Sequence, residues 1–194
     1  MDNLCTPIAP YFGCMGIVFC VILSNLGAAY GTAKAGVGIL SSGVLSPDLI
    51  YKNLIPIIMA GVNGIYGLIT AIVIINEISS SPPDDDGNNV YSLFTGFAHL
   101  AAGLCCGLGG LASGMAIGIA GDAGVRGFSQ LNYQEKQPNV YGQGSGGWNK
   151  QKRQKKKNPN DLYVGMVLIQ VFSGNLALFG LITAMILTSS TYSC

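Results

Sequence analysis

Apolar positions along the chain gather into four long runs rather than into the short stripes or strict alternations of a water-soluble fold. The runs cover approximately residues 10–33, 54–76, 91–121 and 162–188. Each is long enough to cross about 30 Å of hydrocarbon, which takes roughly 20 mostly apolar residues in a helix. The first, second and fourth contain no Asp, Glu, Lys or Arg, and His99 is the only strongly polar titratable group in the third. Lipid offers backbone groups no partner, and runs this long without alternation do not make barrel strands, so four transmembrane helices are predicted.

The polar segments between the runs give an orientation. Lys34 and Lys52 lie between the first two, and Arg126, Lys136 and a basic cluster lie between the last two. Positive loops stay cytoplasmic, so both are expected there. The loop from Ser79 to Asn89 carries Pro82, Pro83 and Asp84 to Asp86 with no basic residue, and is expected on the lumenal side together with both termini. Cys5 and Cys194 then share that side.

A repeat is visible as well. Ile65-Tyr66-Gly67-Leu68-Ile69-Thr70-Ala71 recurs as Leu178-Phe179-Gly180-Leu181-Ile182-Thr183-Ala184, and Gly27-Ala28-Ala29-Tyr30-Gly31 recurs as Gly114-Met115-Ala116-Ile117-Gly118. The chain thus divides into two tandem helical hairpins of one orientation, residues 1–86 and 87–194. The second hairpin carries an insertion at about 128–160. Its Gly142-Gln143-Gly144-Ser145-Gly146-Gly147 tract is a flexible linker by composition, and Lys150, Lys152, Arg153, Lys155, Lys156 and Lys157 follow it. Those six charges serve either as a solvated topology signal or as a dock for anionic membrane lipids or an acidic partner, with Trp148 and Tyr141 beside them.

Composition sharpens the picture. Charged residues make up 10% of the chain, mean hydropathy is +0.46 and net charge is +1, so no nucleic-acid partner is expected. The 28 glycines fall mostly inside the apolar runs. Gly103 and Gly107, then Gly110, Gly114 and Gly118, and in the first run Gly27 and Gly31, recur every four residues. Such ridges let helices approach closely, either within one chain or in the crowded inner layer of a ring. Six cysteines without a CxxC pair argue against a metal site or a disulfide framework, and the four inside apolar runs read as small buried thiols. Met1-Asp2-Asn3 lacks the positive region of a secretory signal, so the first run is expected to remain in the mature protein. Paired carboxylates, a Ser/His/Asp set and a phosphate loop are all missing, so neither catalysis nor a cofactor is expected.

Four segments carry a resemblance: Ala9-Pro10-Tyr11-Phe12-Gly13, the stretch Leu26 to Lys34, Ile55-Pro56-Ile57-Ile58-Met59-Ala60-Gly61, and Gly118 to Gly127. They preserve polar loop residues along with apolar ones, and on them the chain resembles the proteolipid c subunits of the vacuolar-type proton ATPase. The resemblance implies a ring of all-α, four-helix subunits, with the first and third helices inside and the second and fourth outside. It also implies a proton-carrying glutamate in the fourth helix. The matching stretch here reads Val171-Phe172-Ser173-Gly174-Asn175-Leu176-Ala177-Leu178-Phe179-Gly180, and counting back from Gly180 puts Gly174 at the carboxylate position.

All nine acidic residues, Glu77 being the closest to a run, lie at a boundary, in a loop or at a terminus. Asn63, Gln170 and Asn175 are polar near mid-membrane, but an amide does not exchange a proton near neutral pH, and these are expected to join helices by hydrogen bonds. An interfacial or amide-partnered setting is expected for His99. The reading is a c-type proteolipid of an endomembrane vacuolar-type ATPase that supplies packing in a homo- or hetero-oligomeric ring, beside other ATPase subunits, without carrying protons. The alternative is a structural or channel-like oligomer on the same scaffold, uncoupled from ATP-driven pumping.

Overall fold

The computed structural model describes residues 8–44, 47–80, 91–136 and 159–190. Four long helices account for nearly all of them: α1 (Ala9–Gly43), α2 (Ile55–Ser79), α3 (Leu93–Lys136) and α4 (Pro159–Thr188), with single 3-10 turns at Pro47–Leu49 and Lys52–Leu54 before α2. All four are long and apolar enough to cross a membrane. Prolines set the boundaries. Pro10 and Pro56 occupy the first turns of α1 and α2, where an N–H has no helical partner anyway, and Pro159 opens α4. Pro47 and Pro138 follow the ends of α1 and α3.

Helices α1 and α3 outrun the predicted spans at their C-terminal ends, by 10 and 15 residues. At 1.5 Å per residue the 35 residues of α1 reach about 52 Å and the 44 of α3 about 66 Å, well beyond the hydrocarbon thickness. Helix α3 thus runs into the first residues of the expected insertion. Residues 128–136 continue α3, Phe128 is buried with its ring centroid 5.4 Å from that of Tyr163, and Ser129 donates to the Ser42 carbonyl at 3.2 Å. The reason is local, since a change from apolar to polar residues ends a span without ending a helix. No proline stands between Pro83 and Pro138 to break the ladder.

The largest interface joins α1 and α3, whereas α2 and α4 share a much smaller one. Helices α1 and α3 are parallel and in register: Ala9 meets Gly96, Gly16 meets Gly103, Gly27 meets Gly114, Gly31 meets Gly118 and Ser42 meets Ser129, a constant separation of 87 residues. The repeat inferred from short motifs is thus a packing register that holds from one end of α1 to the other.

The contact is made by backbone. A Cβ on Gly103 or Gly114 would fall onto the carbonyl of Gly16 or Gly27, and one on Gly27 would stand 2.5 Å from the Gly110 oxygen. On Gly31 it would lie 2.7 Å from the Gly114 oxygen, on Gly107 3.0 Å from the Phe19 oxygen, on Gly110 3.1 Å from Ser24 Cβ, and on Gly118 3.0 Å from Gly31 Cα. All seven glycines of the predicted ridges therefore lie between α1 and α3 of one chain. Close approach of this kind replaces the hydrophobic driving force that is missing between helices in lipid.

Candidate functional site

Gly174 lies near the middle of α4. A Cβ there would meet no atom within 4 Å. It lines a cavity of about 80 Å³ between α2 and α4, with Met59, Val62, Asn63, Tyr66, Val171, Asn175 and Leu178. The neighbours have not collapsed onto Gly174, and the space beside it remains open.

Behind this cavity the helices are pinned by a short polar chain. Asn63 is buried and donates through Nδ2 to Ser113 Oγ at 3.0 Å, and Ser113 donates in turn to the Ser173 carbonyl at 2.7 Å. One amide on α2 and one hydroxyl on α3 thereby fix the α4 backbone one residue before Gly174. A turn earlier, fully buried Gln170 donates through Nε2 to the Ile117 carbonyl at 3.3 Å, and its Oε1 has no partner among the described residues. Asn175, in contrast, is exposed, at the cavity it helps to line. Two of the three predicted amides join helices within the chain, and the third is exposed.

Two further expectations change in detail. His99 is fully buried, and the partner of its Nδ1 is the Tyr91 hydroxyl at 2.6 Å rather than an amide. Of the four cysteines in the apolar runs, Cys20 and Cys106 are buried, Cys105 contacts Thr183 Oγ1 at 2.9 Å, and Cys14 is exposed on the outside of α1 rather than buried. Among the described residues no group of His, Cys, Asp and Glu is arranged to hold a metal ion.

At the far end of α3, Asp122 receives Arg126 Nε at 2.6 Å and has Lys34 Nζ at 4.0 Å. This cluster joins α1 to α3 where the polar signature Gly121 to Gly127 falls, and the sequence offered those residues only as a motif and as loop charges, not as partners. Opposite charges at an i, i+4 spacing were the available signal for the pair. Ser113 was also passed over, since a lone serine in an apolar helix gives no sign of its partner. The acidic loop residues Asp84 to Asp86, the basic cluster Lys150 to Lys157, Cys5 and Cys194 lie outside the described residues.

The architecture can be set beside known proteins. Residues 15–74 and 100–147 match the family model of the ATP synthase C subunit, so α1, α2 and α3 lie largely within the match and α4 beyond it. The chain is 50% identical over 194 residues to the V-type proton ATPase 16 kDa proteolipid subunit of Chrysotila carterae, covering 100% of this chain and 99% of that one. It is 48% identical over 182 residues to the second of the numbered 16 kDa c-type proteolipids of the V-type proton ATPase of Caenorhabditis elegans, with 94% and 92% covered. It is 41% identical over 189 residues to the V-type proton ATPase c subunit of Candida tropicalis, with 97% and 95% covered. With the four apolar helices, the in-register repeat and relatives matched nearly end to end, the chain belongs to the ATP synthase C-subunit family and, within it, to the proteolipid c subunits of the V-type proton ATPase.

Proposed function

We propose that this chain is a member of the proteolipid ring in the membrane sector of an endomembrane V-type proton ATPase, where it contributes helix packing and carries no proton. Its neighbours are other proteolipid copies and other subunits of that ATPase. Both termini face the lumen and the 3–4 connection faces the cytoplasm. The observation that carries the reading is Gly174, an open cavity at the proton-carrier position.

The physical argument concerns charge. A carrier in a rotating ring must be neutral against lipid and ionised opposite a stator cation, which a carboxylate does and a carboxamide does not. The described acidic side chains stand elsewhere: Asp48 in the 3-10 turn before α2, Glu77 in the last turn of α2, Asp122 beside Arg126, and Asp161 in the first turn of α4. The amides around the cavity are Asn63, already donating to Ser113, and Asn175. Each passage of this subunit past the stator then supplies no driving force.

A hydrophobic carbodiimide, which modifies protonated carboxyls in membranes, is expected to leave residues 10–33, 54–76, 91–121 and 162–188 unlabelled in the purified protein. Gly174→Glu is expected to create one labelled site, because the backbone there has room for a side chain. Labelling of any span in the unsubstituted chain would overturn the proposal. The missing carboxylate equally suits a second reading, a structural or channel-like oligomer uncoupled from pumping. Affinity purification from native membranes separates the two: other ATPase subunits accompany a ring member and do not accompany an uncoupled oligomer.

A further inference from the structure

The cavity beside Gly174 has a mixed lining. Met59, Val62, Val171 and Leu178 give it apolar walls, and Asn63 and Asn175 bring one carboxamide from each helix. The two amides are not equivalent. Asn63 is buried and its Nδ2 is committed to Ser113 Oγ, whereas Asn175 is exposed and its side chain makes no hydrogen bond among the described residues. The volume of about 80 Å³ is several times the roughly 10–15 Å³ that one water molecule needs, so the space admits a molecule of a few heavy atoms. Gly174 keeps it open, since a Cβ there would meet nothing within 4 Å.

An unpaired carboxamide among apolar side chains selects its ligand. It presents an N–H donor and a carbonyl acceptor side by side, and both are costly to leave without partners in an apolar setting. A carboxylic acid in its neutral form carries the complementary pair: its O–H donates to the amide oxygen while its carbonyl accepts from the amide N–H. The carboxylate form offers acceptors only and bears a charge that lipid excludes, and an alcohol has no separate carbonyl acceptor. The apolar walls then suit a short alkyl chain, and the volume excludes a long one.

We propose that the cavity beside Gly174 is a binding site for a short-chain monocarboxylic acid, held in its neutral form by the Asn175 carboxamide. Binding depends on the cavity and on Asn175, and not on membership of a ring. The bound acid puts a carboxyl near the middle of α4, a helix whose one acidic residue, Asp161, lies in its first turn. Short alkyl acids lose their proton at about pH 4–5, as a glutamate side chain does. Only the neutral form binds, so the affinity counted against total acid falls roughly tenfold for each pH unit above about 5.

The test is saturation-transfer NMR on the full-length chain in nanodiscs, with propionic acid as the probe and empty nanodiscs as the baseline. A saturable signal is expected at pH 5 and is expected to fade toward pH 7. Gly174→Leu, which fills the cavity, should abolish it. Asn175→Leu, which keeps the cavity, should weaken binding about three- to tenfold, the range for one hydrogen bond at membrane depth. Asn175→Leu carries the test if Gly174→Leu fails to accumulate. 1-Butanol, of similar size, is expected to bind more weakly than the acid, and dodecanoic acid is expected not to compete. No saturable signal at pH 5, or one that both variants leave unchanged, would overturn the site. Equal binding of 1-butanol, or a signal lost in Gly174→Leu and untouched by Asn175→Leu, would overturn the pairing with Asn175. Competition by dodecanoic acid would overturn the short-chain assignment and make a fatty acid of the membrane the ligand.

Discussion

At the scale of single residues, the cavity beside Gly174 and the polar chain behind it are coupled through Ser113. That hydroxyl accepts from Asn63 and donates to the Ser173 carbonyl, so its removal costs two contacts at once. Ser113→Ala is expected to destabilise the detergent-solubilised protein by about 1–2 kcal/mol, as a lower midpoint of unfolding, because buried Asn63 loses its acceptor. Ser113→Ala combined with Asn63→Leu should be less destabilised than Ser113→Ala alone, since replacing both members of a buried polar pair is cheaper than orphaning one. A double variant at least as unstable as the sum of the singles would show that Asn63 contributes by shape rather than by its hydrogen bond.

At the scale of elements, the α1–α3 pair is held by glycines facing backbone, and its tolerance to substitution should be sharply positional. Gly114→Leu drives a side chain into the Gly27 carbonyl and is expected to abolish accumulation of folded protein, the extreme of overpacking. Gly165→Leu in α4 meets open space and should be nearly silent. Expression level and monodispersity on size exclusion check both. The same pairing explains why α1 and α3 continue past the membrane. Buried Ile39, Val125 and Met166 pack together near the Asp122 cluster, and Ser129 reaches Ser42 one turn further on. This part of the helix pair is stabilised by tertiary contact in addition to local propensity.

At the scale of the whole molecule, the segment between α3 and α4 holds six of the ten basic residues of the chain. The basic residues that precede α4 in the sequence are expected at the cytoplasmic surface, where each would attract anionic lipid by about 1 kcal/mol before screening. Replacing Lys150, Lys152, Arg153, Lys155, Lys156 and Lys157 by Gln is expected to weaken association of the cytoplasmic face with phosphatidylserine vesicles and to leave the oligomer intact. The attraction should also fade as salt rises and the Debye length shortens. Flotation of vesicles with protein reconstituted in nanodiscs, at low and high salt, measures both effects. Binding that ignores salt would exclude an electrostatic dock, and loss of the oligomer would give the segment a packing role.

Much of this protein was written in its sequence, because lipid allows few solutions. Four uncharged apolar runs dictate four helices, the motif pairs reveal the repeat, and four segments carry the family resemblance. Three features needed the tertiary structure. Register was one, since only the contacts of Gly16, Gly27 and Ser42 show that the repeat is held at 87 residues along all of α1. The fate of the polar residues was another. Asn63 and Asn175 look alike as isolated amides in apolar runs, yet one is buried against Ser113 and the other is exposed, a difference fixed by helix rotation about neighbours distant in sequence. The last was the length of α3, which hydropathy ends at the membrane boundary. Its backbone hydrogen bonds do not depend on the solvent outside, and with no proline before Pro138 and with Phe128 and Ser129 packed against Tyr163 and Ser42, the helix runs on to Lys136.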